Sequence, residues 1–166
     1  MRIYNLFPRL TGSFQQWTPH IERAGEMGFD WVFVNPVQQT GKSRSLYSLA
    51  DYFGLNPDFY DPSSCETPEQ QLKNVVQQAE QRGIRMMVDL VINHCAFDSP
   101  LVKERSHWFL REQDGSVAHP SCMEDGRKVV WRDLARFDHR GTSDREGLQA
   151  YFFEVIEYLV GLGFKG

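Results

Sequence analysis

The chain has 166 residues and a formal net charge of −4, enough for one sizeable core but fewer than the about 250 residues of a closed eight-fold β/α barrel. No basic run offers a footprint for nucleic acid or an anionic membrane, and no apolar stretch is long enough to span a bilayer, so a small, neutral, hydroxyl-rich ligand suits the charge balance best. Cys65, Cys95 and Cys122 are widely spaced and form no C-x-x-C pair, which suggests neither a disulfide framework nor zinc; with no leader-like segment at residues 1–8, the expected compartment is the cytoplasm.

Residues 3–7 form a short apolar run, and Thr18-Pro19 predicts a helix start, with Ile21, Ala24 and Met27 inward and Gly28 as the stop. Residues 31–37 are almost wholly apolar and end at Asn35-Pro36, the pattern of a buried strand. Thr67-Pro68-Glu69-Gln70 combines an N-cap, a first-turn proline and a capping-box glutamine. Leu72, Val75, Val76 and Ala79 then share one face before Gly83. Residues 84–92 form another apolar run, broken by Arg85 and Asp89, and read as a strand covered on both faces.

Residues 93–142 show weak periodicity and several turn signals, so they are expected to be a long loop or small subdomain after the third strand, with one short helix near 101–105. Trp108, Phe109 and Trp131 are expected to pack there rather than to line a site, and His107, His119 and His139 to be solvated. The last helix opens with a capping box at Ser143-Asp144-Arg145-Glu146, carries Leu148, Phe152, Val155, Ile156 and Leu159, and stops at Gly161 and Gly163; residues 164–166 then resemble the entry to a strand. This alternation makes the fold class α/β, with parallel strands joined by right-handed crossovers in about three and a half β/α units.

One polar group interrupts that pattern in a telling place. If residues 84–92 continue as a strand, Asp89, Val91 and Asn93 project to one side while His94 begins the loop. In a parallel barrel, strand C-termini form the active-site face, which would put Asn93 and His94 at the rim and Asp89 lower down. Val32, Val34, Val88 and Val91 are expected to face the interior.

Asp-x-x-x-Asn-His at 89–94 resembles the first signature region of the α-amylase family of glycoside hydrolases. Asn35-Pro36, the stretch Tyr47, Asp51, Tyr52, Leu55, Asn56-Pro57, and Trp131-Arg132-Asp133-Leu134 are similar to other family segments in the same order. The text around 45–55 and 98–108 is similar to maltosyltransferase-like members. The resemblance implies the N-terminal portion of a (β/α)₈ barrel acting on an α-glucan or maltooligosaccharide by a retaining mechanism, as hydrolase or transglycosylase.

By the same resemblance, His94 would hydrogen-bond sugar hydroxyls, Tyr47 would stack on the sugar, and Asp89 and Asn93 would be structural. Asn93 and Asp133 would be candidate calcium ligands, although Ala135 departs from the residue usual after Asp-Leu. The nucleophile and acid/base would follow Gly166, leaving this chain alone inactive. A non-catalytic amylase-like binding or scaffolding module is the alternative. No other cofactor, no nucleic acid and no membrane partner is implied, and unpaired strand edges would favour self-association.

Overall fold

The computed structural model describes residues 1–166. In chain order its elements are β1 (Ile3–Leu6), α1 (Pro8–Thr11), α2 (Phe14–Glu26), β2 (Trp31–Val34), β3 (Gln38–Thr40), β4 (Leu49–Leu55), α3 (Pro68–Gln81), β5 (Arg85–Val88), β6 (His94–Ala96), α4 (Leu101–Glu104), β7 (Ser121–Glu124), β8 (Arg127–Val130), β9 (Leu134–Arg136) and α5 (Arg145–Gly161). Single 3₁₀ turns occupy Pro57–Phe59 and Ser106–Trp108. No helix is long and apolar enough to cross a membrane. The chain divides into two compact units, one comprising residues 1–38, 53–90 and 155–166, the other residues 39–52 and 91–154.

The first unit is the β/α part. Its sheet has the order β1-β2-β5 with every pair parallel, Val32 opposite Tyr4 and Met86, and Val34 opposite Leu6 and Val88. Past β5, Lys165 N donates to Met86 O at 2.8 Å and Val88 N to Gly166 O at 2.9 Å, so residues 165–166 run alongside β5 in the same direction. The expected strand entry is there.

One reading of this sheet is corrected. The third strand ends at Val88 rather than 92, because its neighbour β2 gives out at Val34. Asp89 N still bonds Val34 O at 2.9 Å, but the next residues of that neighbour are Asn35 and Pro36, and proline cannot donate to a ladder. Asp89, Val91 and Asn93 therefore do not share one face of a strand. The faces are as expected at Val32 and Val34, which are fully buried, and Val88, opposite Val34, lies on the same face. Leu6, Val32, Val34 and Met86 lie on the buried face, while Ile3, Trp31, Phe33, Arg85 and Met87 share the more accessible one. There the Arg85 guanidinium sits 4.6 Å from the Trp31 ring centroid, a cation–π pair.

The helices obey local chemistry. Thr67 accepts from Gln70 N at 3.2 Å and Pro68 opens α3, as its sequence dictates. Helix α2 begins at Phe14, four residues before the expected start, because Ser13 and Gln16 form a cap in which Ser13 N donates to Gln16 Oε1 at 2.8 Å. Pro19 lies inside the helix. What holds this first turn is burial: Phe14 and Trp17 are fully covered, and Trp17 Nε1 donates to Gly12 O at 3.0 Å.

The second unit holds most of the expected long loop, and that segment is more ordered than its sequence suggests. β6 and β9 pair antiparallel with His94 opposite Arg136, and β7 and β8 form a hairpin. The hairpin turns at Asp125 and Gly126, both with positive φ (49° and 75°), the conformation Asp-Gly favours. The helix near 101–105 is present as α4. β3 pairs with β4, and Gly41 N donates to Ser48 O at 2.8 Å. A Cβ on Gly41 would come within 2.4 Å of Asp98 Oδ1 and 2.6 Å of Ala96 Cβ, so only glycine lets the backbone approach there.

An aromatic cluster fills this unit: Phe109 stacks on Phe137 at 4.7 Å, Phe137 meets Phe152 edge-on at 5.3 Å, and Trp108 lies 5.4 Å from Tyr151. Trp108 and Phe109 are buried, as expected, whereas Trp131 is exposed. α5 starts one residue later than a Ser143 cap would place it. Asp144 is the capping residue, accepting from Gly147 N at 3.0 Å and from Trp108 Nε1 at 2.9 Å; the indole bond, then the amide, hold its carboxyl below the usual carboxylate range. Cys95 is buried and its thiol is pushed up to about 12 by that burial, so it is an inert packing residue, while Cys65 and Cys122 are exposed.

Candidate functional site

Tyr47, Tyr52 and His94 come together within the second unit. β4 carries Tyr52 inward, fully buried, and its hydroxyl donates to the backbone carbonyl of His94 at 2.8 Å. β6, clamped by β9, fixes the backbone of His94. The imidazole then meets the chain 47 residues earlier, with Nε2 3.0 Å from the backbone carbonyl of Tyr47. A carbonyl only accepts, so Nε2 carries the proton and Nδ1 is left as an acceptor. Nδ1 is buried and has no hydrogen-bond partner. Tyr47 is 38% exposed.

Burial lowers the His94 pKa below the ordinary 6.5, against the opposing effects of the Tyr47 carbonyl and the Asp133 charge. The unfolded chain therefore takes up this proton at higher pH than the native one. Stability from neutral His94 is complete above pH 6.5 and declines as pH falls from 6.5 toward the lowered native value. An NMR titration of the His94 ring should give a midpoint below 6.5, with the urea midpoint falling over the same interval; a ring midpoint at or above the ordinary value would contradict this geometry.

The other expected site residues lie apart. Asp89, half-buried, belongs to the first unit and makes the last ladder bond of β5. Asn93 is exposed, and its carbonyl accepts from Phe137 N at 3.1 Å. Asp133 is exposed as well; its backbone carbonyl, rather than its carboxylate, makes the contacts, accepting from Phe97 N at 2.8 Å and Ser48 Oγ at 3.5 Å. No three His, Cys, Asp or Glu residues are grouped as a metal site. Asn93 shares its surroundings with Arg136 and Arg140, whereas calcium takes about six to eight oxygen ligands. This donor set does not fit a calcium centre.

Sequence reasoning missed Tyr52 as a support for His94. Of the three histidines expected to be solvated, His107 and His139 are exposed and His119 is half-buried, and each has a partner: His107 Nε2 lies 3.4 Å from Asp144 Oδ2, His119 Nδ1 2.7 Å from Leu134 O, and His139 Nε2 2.7 Å from Ile92 O. None of these bonds has a local sequence signal, since each partner is at least 15 residues away.

Residues 1–108, which include Tyr47, Tyr52, Asp89 and His94, match the family model of the glycogen debranching enzyme glucanotransferase domain. The chain belongs to this family, within the α-amylase family. Among similar proteins, the α-1,4-glucan:maltose-1-phosphate maltosyltransferase of Chlorobaculum tepidum is 26% identical over 98% of this chain and 26% of its own length. The cyclomaltodextrinase of Geobacillus thermopakistaniensis is 30% identical over 52% of this chain and 13% of its own length. A solved maltogenic α-amylase from Thermotoga neapolitana superposes with a TM-score of 0.79 at 26% identity, covering all of this chain and 38% of that one. This α-amylase-family chain thus spans well under half the length of these relatives, and its parallel strands match those of the solved amylase.

Proposed function

We propose that this chain is part of an α-glucan-acting glycoside hydrolase or transglycosylase of retaining mechanism, in which it grips the sugar. The observation that carries the proposal is the union of His94 and Tyr47: an imidazole fixed at 3.0 Å from the backbone of a tyrosine that is itself partly exposed. A pyranose offers C–H faces to an aromatic ring, so the tyrosine that His94 holds by its backbone suits a glucosyl unit. The relatives support the substrate class, being named for α-1,4-glucan, maltose or cyclomaltodextrin.

In this reading the nucleophile and the acid/base are carboxylates placed about 5 to 5.5 Å apart and carried after Gly166, on the strand that residues 165–166 begin beside β5. The expanse 1–166 positions the substrate and has no chemical step of its own, so it is inactive toward maltodextrins alone. Asp89 and Asn93 act structurally, through backbone bonds that set the end of β5 and the start of β6. Residues 93–142 form the small subdomain that presents His94.

Calorimetric titration with maltotriose tests the grip. Tyr47→Ala and His94→Ala should each weaken binding about tenfold, equivalent to about 1.4 kcal/mol, without changing the fold by circular dichroism; equal affinity in wild type and both variants overturns the assignment.

Self-association is the second part of the proposal. Phe153, Ile156 and Val160 form an exposed apolar stripe on α5, and β1 is a sheet edge, both of which invite another chain. Sedimentation velocity should show dimers or larger species at micromolar concentration, and a monomer throughout would remove this part.

A further inference from the structure

We propose that the pocket lined by Asn93, Arg136 and Arg140 binds a phosphate group carried by a glucosyl or maltosyl phosphate. The pocket has a volume of about 500 Å³ and lies wholly within the second unit. Its floor is rigid, because Phe137 is buried and stacked on Phe109 at 4.7 Å. One wall is His139, held by its 2.7 Å bond with Ile92 O and by its ring contact with Phe152 at 6.0 Å.

The charges in this pocket are arranged for an anion. Arg136 is carried on β9 directly opposite His94, and opposed residues of an antiparallel pair share a face. Arg140 follows at the next turn. Neither guanidinium has an ion-pair or hydrogen-bond partner in the chain. One carboxylate, Asp138, also lines the pocket; its Oδ1 accepts from Arg140 N at 3.2 Å and from Gly141 N at 2.7 Å, and against the two guanidiniums the lining keeps a net positive charge. Two unpaired guanidiniums are thus gathered in a concavity of a chain whose net charge is −4.

Guanidinium forks match the oxygens of a phosphate in a bidentate way, and two forks suit a dianion better than a single carboxylate. The Asn93 amide adds a neutral donor. A nucleic acid would need a basic stripe, which this acidic chain does not have. Asn93 adjoins His94, so the sugar half of the ligand rests on the sugar-gripping reading above, whereas the phosphate half stands on the arginines alone.

The test is a set of NMR titrations of the chain with inorganic phosphate, glucose 1-phosphate and maltose, on wild type and on R136Q/R140Q and R140Q. Phosphate and glucose 1-phosphate should shift the amides of residues 93 and 136–140, and the double variant should bind both at least about tenfold more weakly while maltose binding is unchanged. If the double variant loses its native spectrum, R140Q supplies the comparison, with a smaller loss of the same two ligands. Glucose 1-phosphate should bind more tightly than inorganic phosphate; the reverse order would reassign the pocket to the free anion and overturn the phosphosugar proposal. No shift up to about 50 mM phosphate, or shifts that survive both variants, also overturn it. Phosphate binding in a chain that ignores maltose would leave the anion pocket standing and remove the sugar reading.

Discussion

Tyr52→Ala is expected to destabilise the chain by about 3 to 5 kcal/mol, the range for emptying a large aromatic site. Tyr52 is fully buried and packs edge-on against Tyr151 at 5.8 Å and Phe152 at 5.7 Å. Its hydroxyl is the donor to the His94 carbonyl, and burial raises its pKa well above the ordinary value, so it remains a donor across the working pH range. Alanine removes the ring, leaves a cavity among the aromatic residues and orphans a carbonyl in the strand that holds His94. Tyr52→Phe separates these effects: the ring stays, the donor goes, and the expected loss is about 1 to 2 kcal/mol. Urea unfolding of the two variants measures both values, and amide exchange at residues 94–96 should accelerate in each. A loss below about 1 kcal/mol for the alanine variant would mean that Tyr52 does not organise the site.

Trp17→Ala should cost a similar about 3 to 5 kcal/mol, in the first unit. The indole is fully buried, meets Phe14 edge-on at 5.0 Å and lies 6.3 Å from the Phe59 ring. Its N–H is bonded to Gly12 O, just before the cap of α2. Trp17 therefore locks the first turn of a helix whose proline, at position 19, deprives it of a backbone donor. Trp17→Phe keeps most of the packing and forfeits the hydrogen bond, for an expected loss of about 1 to 2 kcal/mol. Thermal or urea unfolding decides the matter; a Trp17→Ala variant within about 1 kcal/mol of wild type would contradict the burial described.

What could be read in the sequence was what local chemistry determines. Thr67-Pro68 marks the start of α3 because cap and proline act within one turn. The start of α2 was misplaced since Thr18-Pro19 offers the same local signal as the true cap at Ser13, and only the burial of Phe14 and Trp17 decides between them. Continuous apolar runs such as β2 have no alternation, so they announce a strand without saying which face turns inward. β3, β6 and β9 are three residues each, too short for periodicity, and exist through partners distant in sequence. The Asp125-Gly126 turn did carry a hairpin signal.

The site shows the same division. Resemblance pointed to His94 and Tyr47, but nothing local tells that the imidazole would bond the tyrosine's own carbonyl, or that Tyr52 would hold His94 from behind. Arg136 and Arg140 had no signal either, since an unpaired guanidinium is a property of the surroundings.

The central claim is that a glucan unit lodges against Tyr47 and His94. The most direct measurement is a residue-resolved NMR titration with maltotriose, following the Tyr47 ring and the His94 imidazole. The largest shifts should fall on these two side chains. Saturable binding whose shifts lie elsewhere, leaving both rings unmoved, would contradict it.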